Sequence, residues 1–128
     1  MKLIRVYECL CDQTRLRIIH LLQSGPLCVC HLQNILDEPQ VKVSKHLRYL
    51  KTRGLVASRV EGNWRIYRLF ATPTRELEAN LRCLQDCAGE DPVFRRDAAK
   101  LARLRQRLEN DCPACAPAAV FSPQKSRP

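Results

Sequence analysis

Residues 40–54 read QVKVSKHLRYLKTRG. Their periodicity predicts a helix from Gln40 to Arg53 that buries one stripe and displays a basic face. Val43, Leu47 and Leu50 stand at i, i+4 and i+7, the spacing that lines one side of an α-helix. The other side carries Gln40, Lys42, Ser44, Lys45, Arg48 and Lys51. Gly54 follows as a C′ glycine, which closes a helix without a Cβ penalty. Just upstream, Asp37-Glu38-Pro39 is a break, and Pro39 suits a helix's first turn. Before that break, Val29, Leu32, Ile35 and Leu36 recur at helical spacing between Cys28 and Leu36. Two short helices joined by a tight break, the second basic on its exposed face, make a helix-turn-helix candidate.

Downstream, the run LVASRVEGNWRIYRLF at 55–70 predicts strands over Leu55–Val60 and Trp64–Phe70, with Glu61-Gly62-Asn63 as the turn. A hairpin with Arg59, Arg65 and Arg68 around a glycine turn is the wing of a winged helix. Towards the N-terminus, Leu3–Leu10 predicts a short helix. Asp12 caps the next, whose apolar face is Leu16, Ile18, Ile19, Leu21 and Leu22, and Gly25-Pro26 stops it. Thr74 caps a further helix with Leu77, Leu81, Leu84 and Ala88. After Asp91-Pro92 another carries Phe94, Ala98, Leu101, Leu104 and Leu108. These last stripes are narrow, which fits pairing of terminal helices across a dimer. From Asp111 the composition turns to Pro, Ala, Ser and Lys without periodicity, which predicts a flexible tail. The expected organisation is a mainly α chain with a small β-hairpin: a winged-helix DNA-binding and sensor domain over 1–90, a dimerisation helix over 91–110, and the tail over 111–128.

Bulk properties agree with a nucleic-acid partner. The 128 residues carry 22 Lys and Arg against 13 Asp and Glu, a net charge of +9. A surplus of that size points to a polyanion. No stretch approaches the ~20 apolar residues of a membrane span, and the charged N-terminus is not a secretory signal. A cytoplasmic setting follows, where eight cysteines are not expected to form a disulfide framework. They fall into four close pairs, Cys9/Cys11, Cys28/Cys30, Cys83/Cys87 and Cys112/Cys115, and paired thiols suggest soft-metal ligation or redox chemistry.

The matching pieces Asp12-x-Thr14-Arg15-Leu16, Leu27-Cys28-Val29-Cys30-x-Leu32, Gln40-Val41-Lys42-Val43-Ser44-Lys45-His46-Leu47 and Gly62-Asn63-Trp64-x-x-Tyr67-x-Leu69 occur in that order. Across Val6 to Phe70 the chain therefore resembles the winged-helix repressors of the ArsR/SmtB type, and within them the arsenic-sensing branch. The resemblance implies a symmetric dimer that binds a palindromic duplex operator and releases it when a thiophilic ion binds. The implied inducer is As(III) or Sb(III) in trigonal three-sulfur coordination, with no organic cofactor and no catalytic residue. DNA would be read by Gln40, Lys42, Ser44, Lys45, His46 and Arg48, with Arg59, Asn63 and Arg65 on the wing. Gln33 stands where some arsenic sensors have a third cysteine, so the third ligand is not given by the family.

Residues i and i+2 of a regular helix point ~200° apart, so Cys28 and Cys30 cannot share an ion from mid-helix. Cys28 sits where an N-cap is usual, however, and N-cap backbone angles let its sulfur swing towards Cys30. A helix N-terminus also favours the thiolate. Cys9 or Cys11, of the same or the partner subunit, is the expected source of a third sulfur, with Cys11 weakly preferred. Cys83 and Cys87, at i, i+4 on one helix face, are an alternative site. Cys112 and Cys115 lie in the tail, where ordering costs about 1–2 kcal/mol per residue. His31 reads as a solvated surface residue, ~100° from Cys30 on the helix, with a ligand role as the lesser alternative. His46 either faces DNA or packs against the wing, and His20 is a core-edge residue. The spacing Cys9-x₅-Arg15 matches a phosphatase loop, but CLCDQTR has no glycine to cradle an oxyanion. The competing functions are a redox or persulfide sensor, a Cd, Pb or Zn sensor on the same fold, and a zinc-stabilised interaction module.

Overall fold

In the structure, a computed structural model that describes residues 2–111, the chain orders as α1 (Lys2–Leu10), α2 (Gln13–Leu22), β1 (Leu27–Cys28), α3 (Val29–Leu36), α4 (Gln40–Thr52), β2 (Val56–Glu61), β3 (Trp64–Leu69), α5 (Arg75–Ala88) and α6 (Pro92–Asp111). The cap residues act as their chemistry dictates. The Asp12 side chain accepts from the Arg15 backbone N–H at 3.0 Å, and Thr74 Oγ1 accepts from the Leu77 N–H at 3.2 Å. Asp91 Oδ1 accepts from the Val93 N–H at 2.9 Å, where α6 begins. Pro39 lies one residue earlier than the first turn of α4, at its N-cap.

The core is aliphatic, as a chain with 5% aromatics requires. Ile18, Ile19 and Leu21 of α2, Leu32, Ile35 and Leu36 of α3, and Val43, Leu47 and Leu50 of α4 are all buried in one cluster with Leu27 and Ile66. α3 packs on α4 through this cluster, so α4 is seated on its neighbour by interlocked side chains rather than by charge.

The wing has three strands, not two. β2 and β3 pair antiparallel through a Gly62-Asn63 connection in which Gly62 takes φ 61°, the positive first position of a II′-type turn. β1 adds to the other edge of β3, with Leu27 opposite Tyr67 and Cys28 opposite Ile66. A two-residue strand has no alternation to read. It forms because β3 offers an unpaired edge beside it.

α6 packs on α2 and α3. Its stripe, which the sequence offers to a partner chain, already buries Phe94, Leu101 and Leu104 within the chain. The anchor is a bidentate ion pair: Arg17 Nε to Asp97 Oδ2 at 2.7 Å and Nη2 to Oδ1 at 2.9 Å. Asp97 is fully buried, and its carboxylate raises the Arg17 pKa by hydrogen bonding against the opposing cost of burial. Ile4 and Tyr7 remain exposed on α1. Among the described residues no helix is long and apolar enough to cross a membrane. Residues 112–128, including Cys112 and Cys115, lie outside the described residues.

Removing one member of a buried pair leaves the other charged and unpartnered. Asp97→Ala should therefore lower unfolding free energy by about 3 kcal/mol, read by urea denaturation at fixed protein concentration. The double variant Arg17→Met/Asp97→Leu should recover most of that loss. A single-variant loss under about 1 kcal/mol would show that the pair does not fasten α6.

Candidate metal centre and nucleic-acid interface

Cys28 is at once the last residue of β1 and the N-cap of α3, with φ −86° and ψ 160°. That extended backbone resolves the i, i+2 problem. The Cys28 side chain makes no cap hydrogen bond to the backbone of the helix it caps. Instead its sulfur lies 2.8 Å from Cys30 Sγ and 2.7 Å from His31 Nδ1, and Cys30 Sγ is 3.7 Å from the same nitrogen. Cys30 and His31 are the second and third residues of α3. An N-cap side chain naturally reaches over those positions, as it does in a capping box.

His31 is thus not a solvated surface histidine. The ~100° separation applies within a regular helix, whereas Cys28 approaches from outside it. The three donor atoms lie within 4.8 Å of one another, and they form the cluster of metal-ligating groups found among the described residues. The His31 ring also stacks on Trp64 of β3, with centroids 6.3 Å apart and planes 12° from parallel.

The electrostatics differ from the expectation of a ready thiolate. Burial, followed by the hydrogen bond and charge of the Cys28 sulfur, pushes the Cys30 thiol up to about 12. The N–H groups of the first turn pull it down, as a helix N-terminus should, but they are outweighed. The balance at Cys30 thus favours the thiol over the thiolate.

The other cysteines lie elsewhere. Cys9 is buried in the core, where burial raises its pKa. Cys11 is exposed and its thiol donates to the Glu8 carbonyl at 3.2 Å. Neither joins Cys28 within the chain. Cys83 and Cys87 are exposed one turn apart on α5, where the charge of Cys83 raises the Cys87 pKa, and no third donor joins them among the described residues.

On α4, Gln40, Lys42, Lys45 and Arg48 are exposed and Ser44 is half-buried beside them. Gln40, Val41, Ser44, Lys45 and Arg48 line one open depression. Lys42 pairs with Glu38 at 3.1 Å. His46 takes neither expected course and turns back to α2, with Nε2 4.0 Å from Asp12 Oδ1 and Nδ1 3.5 Å from Arg15 Nη1. Burial lowers its pKa and keeps it neutral there. On the wing, Asn63 and Arg65 are exposed at the tip, while Arg59 is half-buried and paired with Glu61 at 3.0 Å. Two links escape a reading by periodicity. Lys51 Nζ donates to Ser58 Oγ at 2.8 Å, tying α4 to the wing. Tyr49 lies between the Arg15 and Arg53 guanidiniums, 4.0 and 3.5 Å from its ring centroid.

Comparison with known proteins agrees with this architecture. Residues 12–58 match the family described as bacterial regulatory protein, arsR family. The chain is 36% identical over 112 residues to the arsenic resistance transcriptional regulator ArsR1 of Pseudomonas putida, covering 87% of this chain and 85% of that protein. It is 46% identical over 88 residues to the arsenical resistance operon repressor of Escherichia coli, covering 65% and 75%. The homodimeric winged helix-turn-helix DNA-binding domain Mb0332 of Mycobacterium bovis superposes with a TM-score of 0.58 at 28% identity, covering 70% of this chain and 80% of that one. Relatives and structural neighbours alike are regulators rather than enzymes. The chain belongs to the arsR family of winged helix-turn-helix transcriptional repressors.

Proposed function

We propose that this repressor binds a palindromic operator in the cytoplasm as a homodimer and releases it when As(III) or Sb(III) binds Cys28 and Cys30. The observation that carries the reading is the approach of the Cys28 and Cys30 sulfurs to 2.8 Å at the N-cap of α3. Soft thiolates select thiophilic ions over Mg²⁺ or Ca²⁺, and two relatives are named for arsenic resistance. α3 is seated on α4, so a change in its first turn has a direct mechanical path to the reader helix. Gln40, Lys42, Ser44, Lys45 and Arg48 enter the major groove, with Asn63 and Arg65 of the wing on phosphate or minor groove and Arg59 behind them. Ile4 and Tyr7 supply apolar surface for the partner subunit. The same sulfurs would serve an oxidation response, which mass spectrometry after mild oxidation separates from As(III) release in reductant.

The DNA assignment has a direct check. Ser44→Ala and Lys45→Ala should each weaken operator binding by about 1–3 kcal/mol, measured by fluorescence anisotropy, while Lys125→Ala leaves it unchanged. The affinity should also fall with salt at a log–log slope of about −0.9 per phosphate neutralised. Equal binding by all three variants, or a flat salt dependence, contradicts the assignment.

For the inducer, Cys28→Ser and Cys30→Ser should bind operator like the parent, since serine suits a helix N-terminus. Release by As(III) should then need roughly tenfold more ion or more, a ligand being worth at least what its supporting contacts are. If both single variants release at the parent's ion concentration, the sensor is not this pair.

A further inference from the structure

We propose that His31 is the third protein ligand of the ion site, completing a two-sulfur, one-nitrogen set within a single chain, and that ion loading is transmitted to the wing through Trp64. This rests on the reading of Cys28 and Cys30 as the inducer site. Three observations converge on it. His31 Nδ1 faces the Cys28 sulfur at 2.7 Å and the Cys30 sulfur at 3.7 Å, so the ring nitrogen already shares the space in which an ion would sit. The ring itself runs nearly parallel to that of Trp64, with centroids 6.3 Å apart, within the separation at which aromatic rings interact. Cys28 pairs with Ile66, two residues from Trp64 on the same strand.

The donor set decides the chemistry. Two thiolates and an imidazole suit a borderline divalent cation of the Zn²⁺ or Cd²⁺ class, with one position left for water. A site of this kind takes such a cation as well as a trivalent metalloid. Sulfurs bound to one tetrahedral Zn²⁺ at about 2.3 Å lie ~3.8 Å apart, farther than the 2.8 Å between these two sulfurs. Loading must therefore spread the donors. Cys28 is buried and paired to β3, so the displacement falls on Cys30 and on His31, the latter half-exposed. Any shift of the His31 ring is felt by Trp64, which begins the strand carrying Arg65. The wing thus receives the signal directly, in parallel with the path from α3 to α4.

Trp64 is the only tryptophan in the chain, which makes its emission a local reporter. The experiment titrates the reduced full-length protein with Cd²⁺ alone, following sulfur-to-cadmium charge-transfer absorbance and Trp64 emission together, with operator anisotropy in parallel. His31→Phe keeps a ring against Trp64 but removes the donor nitrogen, and His31→Gln removes the ring. Operator binding without ion reports that each variant folds. The parent should load one Cd²⁺ per chain, with Trp64 emission changing in step with absorbance. Both variants should bind Cd²⁺ about tenfold more weakly or worse, and their Trp64 emission should no longer follow loading. Parent-like Cd²⁺ affinity in either folded variant overturns the ligand assignment. A flat Trp64 signal through a complete loading in the parent overturns the coupling to the wing. Should Cd²⁺ load through His31 and move Trp64 while neither Cd²⁺ nor As(III) releases operator, the inference holds and the inducer reading fails. If Cys28→Ser abolishes release while His31→Phe behaves like the parent, the inducer reading holds and this inference fails.

Discussion

Cys28 has to be extended, because it belongs to β1, and it has to begin α3, because Val29 is already helical. The Cys28, Cys30 and His31 cluster depends on that double placement. Strand pairing with Ile66 holds its backbone, and the N-cap position throws its sulfur across the first turn onto Cys30 and His31. One residue earlier or later, the same thiol would be either a strand side chain or a mid-helix one, and the i, i+2 pair would point apart. The sheet and the helix-turn-helix therefore meet at Cys28.

The charge balance of the chain overstates its unpaired basic surface. A net +9 suggests a broadly basic surface, yet several cations are committed to internal structure. Arg17 fastens α6 through Asp97, Arg15 and Arg53 sandwich Tyr49, Lys51 holds Ser58, and Arg59 is tied to Glu61. Those that remain on α4 and the wing tip, chiefly Lys45, Arg48 and Arg65, are exposed around the depression and the turn. The reader surface is small, and it is positioned by packing; the core beneath it is aliphatic and nearly inaccessible to water.

Much of this protein is legible without coordinates. The helix-turn-helix, the hairpin, the capping roles of Asp12 and Thr74 and the approach of Cys28 to Cys30 are local properties, set by periodicity, turn chemistry and cap preference over a few residues. What the tertiary structure alone decides is set by partners distant along the chain. β1 exists because β3, some forty residues on, offers an edge. Asp97 is buried because Arg17 meets it from eighty residues away. His46 turns inward because Asp12 and Arg15 lie beneath it. His31 stands between the two cases. Its place as third residue after an N-cap cysteine is written in the sequence, but a helical wheel puts it on the wrong side, since the wheel does not describe a neighbour that approaches from an extended strand.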